Sequence, residues 1–415
     1  MPTAILNIGQ LVTLAGPVRP RIGHELRELG IIEDAALIIG DDGCIAEAGT
    51  YAEIKPLIPP GTTQIDAEEK CVTPGFIDAH THLVFAGNRA AEFEQRVAGA
   101  TYQQIAAAGG GIMSTVRHTR AATEDELLAE SRRHRDWMLR AGTTTMEAKS
   151  GYGLDRETEM RMLRVMQRLD IEGPTRVIPT LLAAHSVPPE FCGRRPEYVR
   201  WVAEDLIPEV AAAKLAEYCD AFCDDCAFTV EETRTVLAAA RRNGLKLRVH
   251  GEQFRPGTGA ALAAELGAET ADHLETATSE TLAQLREAGV QPVILPGSVF
   301  ALGHTQYPPA RAMVEQGLAI VVATDFNPGS SPIASMPFVL SLACLEMKLT
   351  PAEALTAATV NAAWSLGLGN RVGPLEPGKQ ADFLIHEFAD YRELAYFIAA
   401  PARPRVFIGG REVTP

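Results

Sequence analysis

The sequence has few cysteines, no long apolar run and no excess of basic residues. Its 415 residues include seven cysteines, an odd number at unpatterned spacings, which argues against a disulfide framework and favours a reducing cytoplasm. No apolar run is long enough to cross a bilayer, and the start lacks the basic segment and cleavage site of a signal peptide. The net charge of −15 argues against nucleic acid or an anionic membrane as the main partner.

The composition is that of a globular protein with a sizeable core. Apolar residues make up 46% of the chain and charged residues 22%. A chain of this length forms two or three domains, or one large α/β barrel with an appendage.

Between Pro74 and about Gly367, apolar strand candidates alternate with longer helical segments. This alternation is typical of βαβ units around a parallel sheet, and eight such units form a (β/α)₈ barrel. The predicted strands are Gly75–His82, Thr143–Lys149, Arg176–Ala183, Cys219–Cys223, Lys246–His250, Glu269–His273, Gln291–Leu295 and Ala319–Thr324.

The segments that flank this region read mostly as short strands. Near the beginning, Ala35–Ile39 leads into the turn Asp41-Asp42-Gly43, which predicts a hairpin. A helical stretch over Pro351–Gly367 begins after Thr350, a candidate N-cap. Further predicted strands are Ile5–Ile8, Leu11–Leu14, Ala381–Ile385 and Arg405–Ile408.

Two histidines stand at the end of the first predicted barrel strand. Side chains alternate along a strand, so His80 and His82 point to the same face, about 6–7 Å apart at roughly 3.3 Å per residue. Such a pair can close on one metal ion, although two histidines can also be ordinary hydrogen-bonded residues. Position favours the metal, because barrel enzymes carry their active sites at the carboxyl ends of the strands.

Three other predicted strands end in potential ligands. His250 ends strand five, His273 ends strand six, and Asp325 follows strand eight. A polar group that follows an apolar run is normally paired or bound to metal. We therefore predict one divalent ion, Zn²⁺ or Fe²⁺, held by His80, His82, His250 and Asp325.

The phrase Pro74-Gly75-Phe76-Ile77-Asp78-Ala79-His80-Thr81-His82 resembles the first barrel strand of the amidohydrolase superfamily, and Gly378-Lys379-Gln380-Ala381-Asp382 resembles a phrase near the end of its members. The resemblance implies a small β-sandwich built from residues 1–73 and 368–415 beside a barrel of residues 74–367. Binuclear members use a strand-four lysine, which is missing from Cys219–Cys223, while Lys149 ends strand two. A single metal is therefore expected.

These residues predict hydrolysis of a C–N bond in a ring. The metal lowers the pKa of its bound water and polarises a carbonyl. Asp325 is the predicted catalytic residue that takes the proton and delivers it to the leaving nitrogen. His273 either acts directly in catalysis, by stabilising the oxyanion or orienting the water, or is only a hydrogen-bonding partner of the site.

Further segments resemble one branch of this superfamily, which opens 4-imidazolone-5-propanoate to N-formimidoyl-L-glutamate in L-histidine degradation. They include Leu83–Arg89, Glu147–Leu154 and Ala183-Ala184-His185. The branch implies a small substrate with a carboxylate, bound by Arg89 unless that residue forms only a surface salt bridge, and it implies a homodimer. The implied substrate-binding residues are Arg89, Tyr102, Tyr152, His185, Gln253, Asn327, Gly329 and Ser330. Because position 253 is Gln and not Glu, this residue cannot act as a general base.

Other hypotheses are weaker. An aminohydrolase of purine-like or guanidine-like rings would not need Arg89, and a non-catalytic scaffold would have lost metal ligands. Cys219, Cys223 and Cys226 have the spacing of an iron–sulfur motif, but two of them fall on an apolar strand. The run Gly109-Gly110-Gly111 lacks the Gly-Lys-Ser/Thr of a phosphate loop.

Overall fold

Eight parallel strands form a barrel in the computed structural model, which describes residues 2–100, 104, 109–225, 227–257, 259–400 and 403–414. Neighbouring strands pair in chain order, and a parallel bridge between Thr81 and Phe326 links the first strand's extension to the eighth's. The predicted barrel is therefore confirmed. Its strands, called the first to the eighth barrel strand below, are Phe76–Asp78, Thr143–Lys149, Arg176–Ala184, Tyr218–Cys223, Lys246–Gly251, Thr270–His273, Gln291–Ile294 and Val321–Val322.

A second sheet combines strands from residues 3–74 with strands from residues 383–413. At its centre, Cys71–Pro74 pairs in parallel with Thr3–Val12 and antiparallel with Phe383–Ile385. The predicted hairpin is confirmed by the antiparallel pair Ile31–Ile39 and Ile45–Thr50. The domain limits at residues 73 and 368 stay a prediction. The other strands are Thr63–Asp66, Arg405–Ile408 and Arg411–Val413.

Helices connect the barrel strands and pack around them. The α-helices are Tyr51–Ile54, Ala90–Val97, Ile112–Ala121, Glu124–Arg140, Arg156–Glu172, Arg195–Trp201, Ile207–Ala212, Val230–Arg242, Gly259–Leu266, Ser279–Ala288, Pro296–Leu302, Ala310–Glu315, Met336–Leu345, Pro351–Ala357, Val360–Ser365 and Glu393–Tyr396. Short 3₁₀ turns occupy Gly23–Arg27, Lys55–Leu57 and Pro189–Phe191, and a π-helical turn occupies Val202–Leu206. In the described part of the chain, no helix is both long and apolar enough for a membrane crossing.

Several helices begin where threonine supplies an N-cap. Thr123, Thr229 and Thr350 each accept a hydrogen bond from the backbone N–H three residues later, where a glutamate completes a capping box. The N-cap predicted at Thr350 is thus confirmed. The single helical stretch predicted over Pro351–Gly367 is two helices, because the Ala358 carbonyl accepts the N–H of Ile77 and is lost to the helix.

The first barrel strand is shorter than predicted, and this places the histidine pair. Regular strand pairing ends at Asp78. Beyond it, His82 N–H donates to the Phe326 carbonyl, and the His80 carbonyl accepts the N–H of Asp325. The segment with both histidines is thereby fixed against the loop that follows the eighth strand.

Candidate metal centre and active site

The four predicted metal ligands meet at the carboxyl end of the barrel. Oδ1 of Asp325 lies 3.5 Å from Nε2 of His80 and 3.5 Å from Nε2 of His82. The His250 ring centroid lies 4.5 Å from that of His80. His273 lies beside them, with its ring centroid 5.7 Å from that of His80 and 5.3 Å from that of His250. The first, fifth, sixth and eighth strands thus bring five side chains to one point.

Carboxylates behind the site lie beside two of the imidazoles. Nδ1 of His80 lies 2.7 Å from Oδ2 of Asp272, and Nδ1 of His250 lies 2.9 Å from Oδ2 of Asp220. A neutral imidazole whose Nδ1–H is given to a carboxylate keeps the lone pair of Nε2. The His80 ring therefore directs the lone pair of Nε2 into the site, whereas His250 lies within ion-pair distance of Asp220 but makes no hydrogen bond to it.

The chemistry of the site fits a bound cation. Nε2 of His80, Nε2 of His250 and Oδ1 of Asp325 are buried and have no hydrogen-bond partner among the described residues. Such groups are normally satisfied in proteins, and a metal ion would satisfy all three. Burial lowers the pKa of His80, His82 and His250, so the imidazoles are neutral as metal ligation requires.

Two of the site residues have an unusual backbone conformation. Asp325 has φ 53° and His273 has φ 81°, in the left-handed region that residues other than glycine rarely adopt. Such local strain clusters at functional sites, where the surrounding structure enforces it. Two hydrogen bonds constrain Asp325. Its backbone N–H donates to the His80 carbonyl, and its backbone carbonyl accepts from Nδ2 of Asn327.

The predicted catalytic pair has perturbed acidities. Burial raises the pKa of Asp325 to about 7, although the charge of His273 opposes the shift. Burial would lower the pKa of His273, but Glu275, with Oε1 3.3 Å from Nδ1, outweighs it and raises the pKa to about 9. A bound dication would favour the anionic form of Asp325.

Below the histidines lies a buried group of charged residues that the sequence did not indicate. The residues, which we call the barrel ion cluster, are Glu147, Lys149, Asp220, Arg248 and Asp272, all with 0% exposure. Nζ of Lys149 lies 2.8 Å from Oε1 of Glu147 and 2.8 Å from Oδ2 of Asp220. Burial opposes the lysine charge, but Asp220 and Glu147 outweigh it and raise the pKa of Lys149.

On the substrate side, Arg89 lies against the loop after the eighth strand. Its Nε donates to Oγ1 of Thr115 at 2.9 Å. A Cβ added to Gly329 would lie 2.3 Å from Nη1 of Arg89, so the guanidinium packs directly on this glycine. Arg89 is half-buried and has no carboxylate within 4.0 Å among the described residues, unlike the surface salt bridge that was the alternative interpretation.

Tyr152 and His185 line the same side of the site as His82. The rings of His82 and His185 stack at 5.1 Å, and Tyr152 lies 5.8 Å from His82. Burial lowers the pKa of His185 to about 3, so its ring is neutral. The loop with Tyr152 is held by the buried carboxylate of Glu159, which accepts the N–H groups of residues 151, 153 and 154.

The other predicted substrate contacts differ in their structural roles. Asn327 is engaged by its own loop, since Oδ1 accepts the N–H groups of Gly329 and Ser330 and Nδ2 donates to Oγ of Ser330. The hydroxyl oxygen Oγ of Ser330 lies 3.5 Å from Oδ2 of Asp325. Gln253 lines a cavity of about 430 Å³ that Glu275 also lines. Tyr102 lies outside the described residues.

Two of the three cysteines with the spacing of an iron–sulfur motif are buried in the structure. Cys219 and Cys223 are buried on the fourth strand. Burial raises the pKa of the Cys223 thiol to about 11 and also raises that of Cys219, which disfavours the thiolates that a cluster needs. Cys226 lies outside the described residues.

Comparison with known proteins defines the class of this fold and site. A family model described as the amidohydrolase family matches residues 71–413, and the chain belongs to this family. The fold is shared with guanine deaminase from E. coli, at a TM-score of 0.73 and 17% identity, with 100% of this chain and 99% of that chain covered. A 5-methylcytosine deaminase from Klebsiella pneumoniae matches at a TM-score of 0.73 and 15% identity, over 99% and 97% of the two chains.

Sequence relatives narrow the class. A curated protein of Solibacter usitatus named imidazolonepropionase is 56% identical over 99% of this chain and 98% of its own length. Proteins with the same name from Geobacillus thermodenitrificans and Shouchella clausii are 45% and 44% identical, over 99% and 97% of this chain and 98% and 91% of their own lengths. Within the amidohydrolases, the chain belongs to the imidazolonepropionases.

Proposed function

We propose that this chain hydrolyses the ring C–N bond of 4-imidazolone-5-propanoate to give N-formimidoyl-L-glutamate, in L-histidine degradation. Full-length relatives with this activity in their name support the proposal. The observation that carries it is the half-buried Arg89, which has no carboxylate partner among the described residues and lies on Gly329 beside the metal site. A related cyclic amide or amidine, the alternative substrate, is not favoured by the relatives.

The proposed cofactor is one divalent ion, Zn²⁺ or Fe²⁺, bound by His80, His82, His250 and Asp325. When bound, such an ion lowers the pKa of a coordinated water and polarises a carbonyl. Neutral imidazoles and the unpartnered buried atoms of His80, His250 and Asp325 support this ligand set. Lys149 is engaged with Glu147 and Asp220, which supports a single ion.

In the proposed mechanism, the carboxylate of Asp325 accepts the proton of the attacking water. The same carboxyl group then delivers this proton to the ring nitrogen that leaves. Protonated His273, whose Nδ1–H donates to Oε1 of Glu275, donates a hydrogen bond from Nε2 to the oxygen of the carbonyl under attack. The amide of Gln253 cannot take up or release a proton near neutral pH, so this side chain contributes only hydrogen bonds.

Substrate orientation follows from the opposite side of the pocket. The terminal nitrogens of Arg89 present a fork that matches a carboxylate. Tyr152 and His185 provide flat surfaces beside His82 on which a five-membered ring can lie. Gly329 has no side chain and leaves the guanidinium accessible. We assign the propanoate to Arg89 and the ring to the space between Tyr152, His185 and the metal ligands.

A turnover assay tests the proposal directly. Purified protein, with its metal content measured, is given freshly prepared imidazolonepropanoate at neutral pH, and N-formimidoylglutamate is followed by NMR against a buffer blank. We expect fast formation that a chelator abolishes and added Zn²⁺ or Fe²⁺ restores. Absence of turnover by protein with one metal per chain would refute the substrate assignment, and absence of both turnover and metal would refute the four-ligand site.

We also propose a homodimer, as the family resemblance implies. Exposed apolar side chains lie on neighbouring elements, joined by contacts such as Ser341 to the Ala395 carbonyl at 2.9 Å and the Phe300–Phe338 ring pair at 5.4 Å. These side chains form an apolar surface patch whose members are 50–74% exposed: Phe93, Val97, Phe300, Leu345, Tyr396, Phe397 and Ile398. Patches of this kind mark association surfaces.

Light scattering tests the dimer. Tyr396→Glu should give monomers, whereas Ile171→Glu, a change at an 80% exposed position on another helix, should not. A monomeric wild-type protein would refute the proposal.

We further propose a cytoplasmic location, which the unpaired cysteines of the described chain support and which cell fractionation tests.

A further inference from the structure

A buried threonine contacts the arginine on the substrate side of the site. Thr115 is the fourth residue of the helix Ile112–Ala121, which begins directly after the run Gly109-Gly110-Gly111. It is 3% exposed, and its Oγ1 accepts the Nε–H of Arg89 at 2.9 Å. The proposed mechanism uses Arg89 and gives Thr115 no part.

We propose that Thr115 is a positioning residue that makes the pocket selective for substrates with a carboxylate. Its hydroxyl oxygen holds Nε of Arg89, so that Nη1 and Nη2 together face the carboxylate. The inference rests on the proposed function, because it requires that Arg89 binds the propanoate group. It does not depend on the identity of the metal.

A guanidinium has two edges on which a carboxylate can pair with two N–H groups. One edge combines Nε with a terminal nitrogen, and the other combines Nη1 with Nη2. In Arg89, Nε already donates to Thr115, whereas the terminal nitrogens have no carboxylate within 4.0 Å among the described residues. The edge formed by Nη1 and Nη2 is therefore the one that remains for the substrate.

The backbone of Gly329 limits the position of the same guanidinium from another direction. A Cβ built on Gly329 would lie 2.3 Å from Nη1 and 2.8 Å from Cζ of Arg89. The N–H of Gly329 donates to Oδ1 of Asn327 at 2.8 Å, which fixes this part of the loop. Thr115 at Nε and Gly329 at Nη1 thus hold the group at two points. Without the hydroxyl of Thr115, the guanidinium can turn away from the pocket.

The helix that carries Thr115 is joined to the segment of the arginine at two further points. The N–H of its N-cap residue, Gly111, donates to Oε2 of Glu92 at 3.0 Å, and Gly111 has φ 73°, a conformation that favours glycine. Oγ1 of Thr119 accepts the N–H of Ala86 at 3.2 Å. These bonds lie on both sides of the arginine in the chain, so the helix is a fixed support for the guanidinium.

The last turn of this helix is fixed independently of Thr115. Nε of Arg120 donates to the Gly153 carbonyl at 2.7 Å and lies 2.8 Å from Oδ2 of Asp155. The helix should therefore keep its place when the hydroxyl of Thr115 is removed. A substitution at this position tests the single bond to the arginine.

Binding of two matched ligands tests the inference without turnover. Imidazole-4-propanoate and imidazole-4-propanamide share a ring and a chain, and they differ in the charge of the end group. By isothermal titration calorimetry, Zn²⁺-loaded wild type should bind the acid more tightly than the amide. Thr115→Val replaces the hydroxyl by a methyl group of similar size. It should weaken binding of the acid about tenfold, as expected for loss of one hydrogen bond to a charged group, and leave the amide unchanged.

Two control variants accompany this measurement. Thr115→Ser keeps the hydroxyl and should bind the acid within about threefold of the wild type. Thr233→Val makes the same change at another fully buried threonine, on the helix Val230–Arg242, and should keep the wild-type preference for the acid.

A double-mutant cycle shows whether Thr115 acts through Arg89. In an Arg89→Met background, Thr115→Val should change acid binding by less than about twofold, because the bond between the two residues is already lost. Additive losses from the two substitutions would overturn the inference. In turnover of imidazolonepropanoate, Thr115→Val should raise KM about tenfold and leave kcat within about twofold of the wild type.

The outcomes separate this inference from the proposed function. If the wild type binds acid and amide equally, the carboxylate role of Arg89 is refuted, and the inference with it. If the wild type prefers the acid and folded Thr115→Val keeps that preference, the inference alone is overturned. Equal losses on both ligands would also overturn it, since they indicate a general change of the pocket. Thr115→Ala replaces Thr115→Val if the latter does not fold, as judged by circular dichroism and metal content.

Discussion

Replacing Arg89 by methionine should remove the carboxylate site while leaving the metal centre in place. Methionine keeps the apolar stem of the side chain but is shorter and has no charge and no donors. The change also removes one hydrogen bond, from Nε to Oγ1 of the buried Thr115, and involves none of the proposed metal ligands. Fold and metal content should therefore stay as in the wild type.

The size of the effect follows from the lost bonds. A hydrogen bond between charged partners contributes about 1.5–3 kcal/mol, and the fork of Arg89 offers two. Because water partly replaces them at a half-buried position, we expect a loss of roughly 3 kcal/mol, or about 150-fold in kcat/KM. The carboxylate is remote from the reacting bond and is bound equally in ground and transition states, so the loss should appear mainly in KM.

Steady-state kinetics with two substrates measures this loss. Wild type and Arg89→Met are compared on imidazolonepropanoate and on its neutral propanamide analogue, with the exposed Arg133→Met as the matched control. The variant should lose activity on the acid and little on the amide, and the control should behave as the wild type. An unchanged KM for the acid, or equal losses on both substrates, would refute the role of Arg89.

Other perturbations test separate parts of the structure. Gly329→Ala should displace the guanidinium, since its Cβ would lie 2.3 Å from Nη1, and should raise KM at least tenfold with little change in melting temperature; a wild-type KM would contradict this contact. Asp325→Asn should lower kcat by about 10³-fold or more without unfolding the protein, and near-normal kcat would exclude proton transfer by Asp325. Burial would raise the pKa of Glu353, but hydrogen bonds from Arg311, Thr350 and Arg27 outweigh it and lower this pKa from 4.5 to about 2. The ionised carboxylate therefore stabilises the fold above pH 4.5, and this contribution is lost as the pH falls from about 4.5 to 2. Glu353→Gln should therefore cost about 2 kcal/mol at pH 7 in denaturant unfolding and much less near pH 2.5, and an equal cost at both pH values would refute the assignment.

The convergence of the proposed metal ligands was predictable because each follows an apolar strand in the sequence. His250, His273 and Asp325 lie at strand ends in the chain, and a closed parallel barrel brings such ends together whatever the detailed packing. The prediction of four ligands did not depend on accurate strand limits. The first strand ends at Asp78 and not at His82, yet both histidines still reach the site.

The barrel ion cluster was missed because its contacts cross the barrel. Lys149 was noticed only as a lysine on the wrong strand for a metal bridge, and no pattern near it in the chain points to Asp220 or Asp272. Its partners are 71 and 123 residues away, on the fourth and sixth strands. Local periodicity shows that a residue faces inward, but it does not show which inward residues meet.

Loop residues show a similar limit for substrate contacts. Asn327 stays a predicted substrate contact, and its side chain also binds the backbone of its own loop and so shapes the position of Gly329 and Ser330, which the sequence did not indicate. The importance of Glu159, which holds the loop of Tyr152 by three backbone N–H groups, depends on how a turn folds back on the next helix. Sequence spacing alone does not describe such a turn.

The central pairing of the second sheet has a consequence for synthesis of the chain. Cys71–Pro74 reaches its neighbour Phe383–Ile385 only after about 300 further residues have been translated, which takes roughly 15–60 s at ordinary rates. During that interval, Cys71–Pro74 presents an unpaired strand edge next to Thr3–Val12. Until the strands of residues 383–413 have been synthesised, this edge is open to pairing with another chain unless the barrel covers it.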